Sequence, residues 1–268
     1  MRVLAALPVV LTLSCANQIP PSSDPPSIEL SILTWNLLHG VDDDGEHNLE
    51  AKGHYIWQQR ADLVFVQEID EHCARSNDVD QMAVLGEITG MDGAFGSFMP
   101  YQGGRYGLGT LSALPVESTR SLRLPTGDEP RVALLREVEV LGQTLVAVNV
   151  HFNWTRDDTS RFQQASALLA LIDPLDLALV VAGDYNDVPE SRTLEAFYAA
   201  GFEHVEPAGP SWNSTSPSVD IDHILFRSGR ELRLEPLGGM VLQQDTLSDH
   251  RPVRGRIRAH ALSSQASN

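Results

Sequence analysis

Five short islands carry residues able to do chemistry: Thr34-Trp35-Asn36, Val66-Gln67-Glu68, Val148-Asn149-Val150-His151, Gly183-Asp184-Tyr185-Asn186 and Ser248-Asp249-His250. Each ends an apolar, β-prone run with a polar or acidic side chain. A strand carries such a residue to its C-terminal edge, where open α/β sheets place their ligands. Asn, Glu, His, Asp with Asn, and Asp with His gathered at one edge would make an oxygen-rich, divalent-metal hydrolytic site. Mg²⁺ keeps several waters in its octahedral shell, so one or two carboxylates suffice to hold it. The sequence has no His/Cys cluster at zinc-like spacing, which favours a hard ion, Mg²⁺ or Mn²⁺. Glu68 closes a strongly apolar run without structural need and reads as the first metal ligand. Asn36 reads as the neutral oxygen beside it, and Asp249 as a third contributor. A lone Asn36 would read as a cap; the company of Gln67-Glu68 reverses that. Asp184 with Asn186 would hold a second ion or position the attacking water.

Hydrophobic periodicity supplies the elements that deliver these residues. Strands are expected over 28–37, 63–66, 177–182, 219–226, 232–237 and 252–257, and a mostly extended stretch over 94–150 with a hairpin at Gly142-Gln143. Helices are expected over 49–60, 78–89, 157–172 and 190–200, with Gly90 and Gly201 as stops. Strands alternating with helices, then antiparallel runs, predict two mixed sheets packed face to face with helices outside. No short-period repeat appears, although the two halves echo each other.

The 268 residues, 42% hydrophobic and 21% charged, suit a globular domain with a large core. Acidic residues outnumber basic ones 36 to 19, for a net charge of -17. That field disfavours nucleic acid, whose binding draws on Lys and Arg at phosphates, but not a small phosphoester held by metal. Neither a basic strip nor stacking aromatics is evident around the islands. At the N-terminus, Met1-Arg2 and the apolar run 3–13 read as a secretory signal too short to span a bilayer. Leu11-Thr12-Leu13-Ser14-Cys15 looks like a bacterial lipobox, with Thr12 in place of the usual Leu; ordinary cleavage nearby is the alternative. The expected organisation is a signal over 1–14, a Pro/Ser-rich tether over 15–27, one domain over 28–259 and a flexible tail over 260–268. The chain is expected to be exported and held by a lipid on Cys15, or else to be soluble in the periplasm or medium, and to be monomeric. Cys73, the only other cysteine, reads as a partly buried thiol.

The order and wording of the islands resemble the endonuclease/exonuclease/phosphatase superfamily, the DNase-I-like metal-dependent phosphoesterases, over about 28–258. The resemblance implies a four-layer α/β/β/α sandwich. It makes His250 the central imidazole, held by Asp222 of Ile221-Asp222-His223-Ile224. It makes Asp184 the water activator oriented by Asn186, His151 a second imidazole on the phosphate or leaving group, and Tyr106 a neighbour of the phosphate. Asp220 reads as a solvated neighbour of Asp222 and His223 as a packing residue. His39, His47, His54 and Asp42-Asp43-Asp44 are expected in a loop bordering the cleft, the acidic run as a solvated face. Leu108 departs from the family, where many members carry Asn. Arg75-Ser76 with Asp80-Gln81, Gln102-Gly103-Gly104 and Glu129-Pro130-Arg131 resemble a bacterial subgroup related to GPI-anchor lipid-remodelling proteins. That makes Arg75, Arg105 and Arg131 candidate phosphate contacts, with surface ion pairs the alternative. The function implied is hydrolysis of a small or lipid-linked phosphodiester or phosphomonoester. A secreted nuclease and a non-catalytic binding module on the same fold are the rivals; the complete set of islands speaks against the module.

Overall fold

Residues 25–205 and 209–262 are described by a computed structural model. The expected signal, Cys15 and most of the tether lie outside them, as does most of the tail. In chain order the elements are β1 (Ser27–Asn36), α1 (Leu49–Gln59), β2 (Leu63–Glu71), α2 (Gln81–Thr89), β3 (Asp92–Tyr101) and β4 (Gly104–Ser112). Then come β5 (Val116–Arg123), β6 (Val132–Val140), β7 (Gln143–His151), α3 (Thr159–Ile172), β8 (Ala178–Asp184) and α4 (Arg192–Ala199). The chain closes with β9 (Glu203–His204), β10 (Asp222–Arg227), β11 (Leu232–Val241) and β12 (Val253–Ala261). Ser27 pairs with His260 across β1 and β12, so the domain takes in one residue of the expected tether and two of the expected tail.

Three helices start two or three residues later than periodicity predicts, because polar residues ahead of them act as caps. Asp80 accepts the Ala83 N–H at 3.0 Å, Ser191 the Leu194 N–H at 3.3 Å, and Asp157 the Thr159 N–H at 3.0 Å. The strand expected over 219–226 begins only at Asp222, since Val219 is spent on a bridge to Trp212.

The strands form two six-stranded sheets, ordered β11-β12-β1-β2-β4-β3 and β5-β6-β7-β8-β10-β9. At the centre of each lies a parallel pair, β1 with β2 and β7 with β8, whose connection contains α1 or α3. The remaining pairings are antiparallel. Inward-facing Leu30, Ile32, Phe65, Ala147, Val180 and Ile257 form the layer between the sheets. Leu33, Trp35 and Val64 pack outward with Ile56 and Leu85 of α1 and α2; Val146, Val148 and Val181 pack with Leu168 and Phe197 of α3 and α4. This is the expected four-layer sandwich. Both parallel pairs end at the same edge, and they carry Asn36, Glu68, His151 and Asp184 there.

A buried amide pair locks the sheets beneath that edge. Gln67 donates to Asn149 Oδ1 at 2.8 Å, and Asn149 donates to the carbonyls of Val66 (3.0 Å) and Gly109 (2.6 Å). Leu108, the family departure, is a fully buried core residue beside Phe98 and Leu134.

Candidate active site

Glu68 leaves its strand by a distortion that aims it. The β2–β4 register slips between Gln67 and Ile69, and Glu68 sits at the slip with φ of 57°. A non-glycine residue in left-handed backbone is strained, and a bulge re-aims the side chain it carries. The carboxylate turns into a cavity of about 590 Å³, within the size range of small-molecule sites. The Asn36 amide nitrogen bridges Glu68 Oε1 and Asp184 Oδ2, both at 3.1 Å, while Asn36 Oδ1 accepts the Leu38 N–H at 3.1 Å. Turning the amide over would set oxygen against two carboxylates. In this arrangement Asn36 presents its donor to the two carboxylates and its oxygen to the backbone.

Asp184 ends β8 immediately after Gly183, whose φ is 151° and where a Cβ would come within 2.0 Å of the Val150 carbonyl oxygen. Only glycine permits that approach of β8 to β7. Asp184 Oδ1 accepts the Asn186 N–H at 2.9 Å, and Asn186 donates its side-chain amide to the Phe152 carbonyl at 3.1 Å. Asp184 Oδ2 lies 3.5 Å from His151 Nε2 and 3.8 Å from His250 Nε2. Asp222 is directly opposite Asp184 in the β8–β10 ladder. Its Oδ2 accepts from His250 Nδ1 at 2.8 Å and from Ser211 Oγ at 2.6 Å. The His250 carbonyl accepts the Trp35 indole N–H at 2.8 Å, and Ser248 Oγ donates to the Asn36 carbonyl at 2.7 Å. The fifth island is thereby fastened to the end of the first.

These neighbours set distinct charge states. Burial works against a charged His250, but Asp222, Asp184 and Asp249 outweigh it and raise the imidazole to about 10. His151 is pushed the other way by burial and by Arg131, and stays neutral. Burial raises Asp184, and the charge of Asp222 raises it further. Burial also raises Asp249, with Glu68 adding to it. Glu68 alone is pulled down, to about 2, because hydrogen bonds from His39 and Asn36 and the charge of His250 together overcome its burial. The result is a cationic imidazole, a neutral one, and a crowd of carboxylates.

Such crowding suits a divalent cation, which would relieve the repulsion that raises Asp184 and Asp249. Among the described residues, Asp184, Asp222 and His250 offer ligand atoms all within 4.8 Å of one another. Asp222 Oδ2, however, is engaged by His250 and Ser211, and the side chain is fully buried. Of the carboxylates, Glu68, Asp184, Asp249 and Glu129 line the cavity, and oxygen donors of this kind suit a hard divalent cation.

The expected phosphate contacts divide. Arg131 is buried, lies 4.8 Å over Phe98, and its Nε and Nη1 lack hydrogen-bond partners although Glu129 is 3.2 Å away. It lines the cavity with Tyr106, whose phenol burial keeps protonated. Arg75 also lines it, but its Nε and Nη2 fork onto Asp70 at 2.8 and 2.9 Å while its guanidinium stacks on Tyr101 and Tyr106. Arg105 pairs with Glu71 and is absent from the cavity lining. Asp220 differs from its reading as solvated: its side chain is only 15% exposed, and burial and Asp222 raise it to about 7. Cys73 is fully rather than partly buried, bonds the carbonyls of Tyr101 and Arg105, and is raised to about 11 by burial, so it is no nucleophile. His223 packs edge-on to Tyr185. His39 borders the cavity 3.6 Å from Glu68, whereas His54 lies within α1. Asp42 spends its carboxylate on the N–H groups of Asp44 and Glu46.

Two features escaped sequence reasoning. Lys52 of α1 is fully buried, donates to the carbonyls of Leu37 (2.5 Å) and Val41 (2.6 Å), and so clips down the turn that carries His39. Burial lowers it to about 7. Its place on the apolar face of α1, one turn before Ile56, was the available signal. The second is aromatic: Tyr101, Trp154 and Trp212 line the cavity, contrary to the expectation of no stacking aromatics near the site. The loops that bring Trp154 and Trp212 there have no periodicity to read.

Comparison with known proteins places this geometry in company. Residues 33–250 match the model of the Endonuclease/Exonuclease/phosphatase family. Similar solved structures include an endonuclease/exonuclease/phosphatase from Bacteroides vulgatus, 17% identical with a TM-score of 0.69, covering 86% of this chain and 98% of that one. One from Beutenbergia cavernae is 20% identical with a TM-score of 0.70, covering 87% of this chain and 72% of that one. A humanised D. rerio TDP2 is 19% identical with a TM-score of 0.66, covering 85% and 98%. At these identities the likeness is one of fold.

Proposed function

Because the chain belongs to the endonuclease/exonuclease/phosphatase family, we propose that it is a divalent-metal-dependent phosphoesterase acting on a small or lipid-linked phosphodiester or phosphomonoester. The observation that carries this reading is the convergence of Glu68, Asp184, Asp249, His151 and the Asp222–His250 pair on one cavity that also holds Arg131. Glu68 and Asp249 would hold the ion, with Asp184 beside them. Bound there, the ion would neutralise phosphoryl charge and acidify a water. The chain's own residues supply the rest. Cationic His250, fixed through Nδ1 by Asp222, offers Nε2–H to a phosphoryl oxygen. Asp184, raised by burial and steadied by the Asn186 N–H, is suited to take a proton from the attacking water. Neutral His151 stands beside it to serve the leaving oxygen, and Arg131, whose Nη1 lies 3.2 Å from Glu129 and whose Nε has no hydrogen-bond partner, offers its charge to the substrate's anion.

The lipid-linked alternative draws on the resemblance of the Arg75, Gln102 and Arg131 phrases to the lipid-remodelling subgroup, and on Cys15 as an anchor. A nuclease is the second reading. The aromatic cavity wall favours it, and the net charge of -17 opposes a polyanion. The deciding experiment screens the purified protein against nucleotides, sugar phosphates, inositol phosphates, phospholipids and plasmid DNA, with Mg²⁺, Mn²⁺ or EDTA. Glu68→Gln is expected to lower turnover by about 10² or more while leaving the melting profile native. Full activity in EDTA would refute the metal reading.

A further inference from the structure

Part of the cavity lining is apolar and is given no role in the hydrolytic chemistry. Trp154 and Trp212 belong to it, with Met99, Tyr101, Val219 and Ile221. Trp154 is 61% exposed and Trp212 40%. Single exposed hydrophobic residues are ordinary, but two indoles converging on one cavity call for an occupant. Both are held on braced backbone. Asn153, before Trp154, donates its N–H to Gln164 Oε1 at 2.8 Å and donates its side-chain amide to Asp128 and Thr155. The carbonyl of Thr155, after it, accepts from Arg161 at 2.8 Å. Trp212 pairs with Val219 and, through Nε1, reaches Asp249 Oδ2 at 3.4 Å. Rings held ready in this way bind at low entropic cost.

The other linings select the occupant. A cationic headgroup would also suit aromatic faces and the cavity's carboxylates, although Arg75 and Arg131 share the cavity, and phosphocholine is the rival the test must exclude. An acyl chain would meet charged groups on the same walls. A flat ring with polar edges satisfies both kinds of wall, its face on an indole and its edge toward Arg131 and Glu129. The net charge of -17 restricts such a ligand to one with few phosphates.

We propose that Trp154 and Trp212 form a stacking subsite for a planar, polar-edged ring on the alcohol portion of a small phosphoester, either a nucleoside or an aryl alcohol. The subsite deepens the phosphoesterase reading and rests on it for the position of the phosphate. Calorimetric titration of the purified protein with AMP, phenyl phosphate, glycerol phosphate and phosphocholine, in Mg²⁺ and in EDTA, tests it. AMP, phenyl phosphate or both are expected to bind about tenfold or more tightly than glycerol phosphate. Trp154→Ala and Trp212→Ala should remove most of that preference, and Trp212→Phe should keep it because a ring remains. A preference for AMP alone identifies a nucleoside, and an equal preference for phenyl phosphate identifies any aryl ring. Absence of preference in both buffers, or preference untouched by both alanine variants, overturns the subsite. Phosphocholine binding as tightly as AMP, or an oligonucleotide binding far more tightly, overturns the ring or the small-ligand assignment. Turnover of bis(p-nitrophenyl) phosphate with Mg²⁺ is read separately. Ring-selective binding without turnover would count against hydrolysis while leaving the subsite intact.

Discussion

Asp222 Oδ2 accepts from both His250 Nδ1 and Ser211 Oγ, so the carboxylate fixes the direction of the imidazole as well as its charge. Asp222→Asn removes the charge that holds His250 cationic, and should lower kcat by about 10² or more. His250→Ala should cost at least as much. The double variant should lose little beyond the worse single one, because the two side chains act as a unit. Losses that simply add would show that they work apart. This pair was legible through the resemblance of Ile221-Asp222-His223-Ile224 and Ser248-Asp249-His250 to the family. Ser211, the second donor to Oδ2, was not, since a lone serine in an irregular loop carries no pattern.

At the scale of elements, the Gln67–Asn149 bridge joins β2 to β7 at the centre of the interface between the sheets. Asn149→Ala strands the Gln67 amide and two backbone carbonyls in a dry interior. It should cost about 3 kcal/mol, or roughly 6–12 °C in Tm for a domain of this size. Replacing Gln67 and Asn149 together by leucine should recover part of the loss in chemical denaturation, since the Gln67 amide is then removed with its partner and leucine fills the space. β10 supplies a pH dependence. His223 is buried, bonds the Asp187 carbonyl through Nε2 at 2.7 Å, and has His204 Nε2 3.0 Å from its Nδ1. Burial first, then His204, lower it from 6.5 to about 4. The unfolded chain therefore binds more protons between those values, and stability is full above about pH 6.5 and declines as pH falls toward 4. The loss attributable to His223 is on the order of 3 kcal/mol. Denaturant midpoints at pH 7 and pH 4.5 should differ less in His223→Gln than in the wild type. An unchanged difference would show that His223 is not the titrating group.

For the whole molecule, the described fold begins with β1, a central strand paired with β12 and β2, and among the described residues no helix is long and apolar enough to cross a membrane. The attachment we propose rests on Cys15, which lies outside the described residues. If Cys15 carries acyl chains, the protein made in a bacterial host should sediment with membranes, and Cys15→Ser should release it or leave the precursor uncut. Multiple chains on one residue anchor stably, where a single chain binds only marginally. Mass spectrometry of the mature N-terminus checks this, and an unmodified first residue other than Cys15 would leave a soluble secreted protein.

The sequence by itself determined the layers, because strand and helix periodicities are local and the core needs only apolar faces in the right rhythm. It also determined the gathering of polar termini at one edge, because a strand delivers its last residue wherever its sheet ends. Tertiary structure alone decided how those termini face each other. Asn36 turns its nitrogen between Glu68 and Asp184 because the Leu38 N–H claims its oxygen. Arg75 spends its fork on Asp70, five residues before it in the chain, while Arg131 pairs with Glu129 through Nη1 and keeps Nε without a hydrogen-bond partner. Lys52 finds two carbonyls in place of solvent, and the indoles of Trp154 and Trp212 meet at one cavity from loops 58 residues apart. Each outcome depends on which side chain reaches a shared partner first in three dimensions, and periodicity along one chain does not encode that competition.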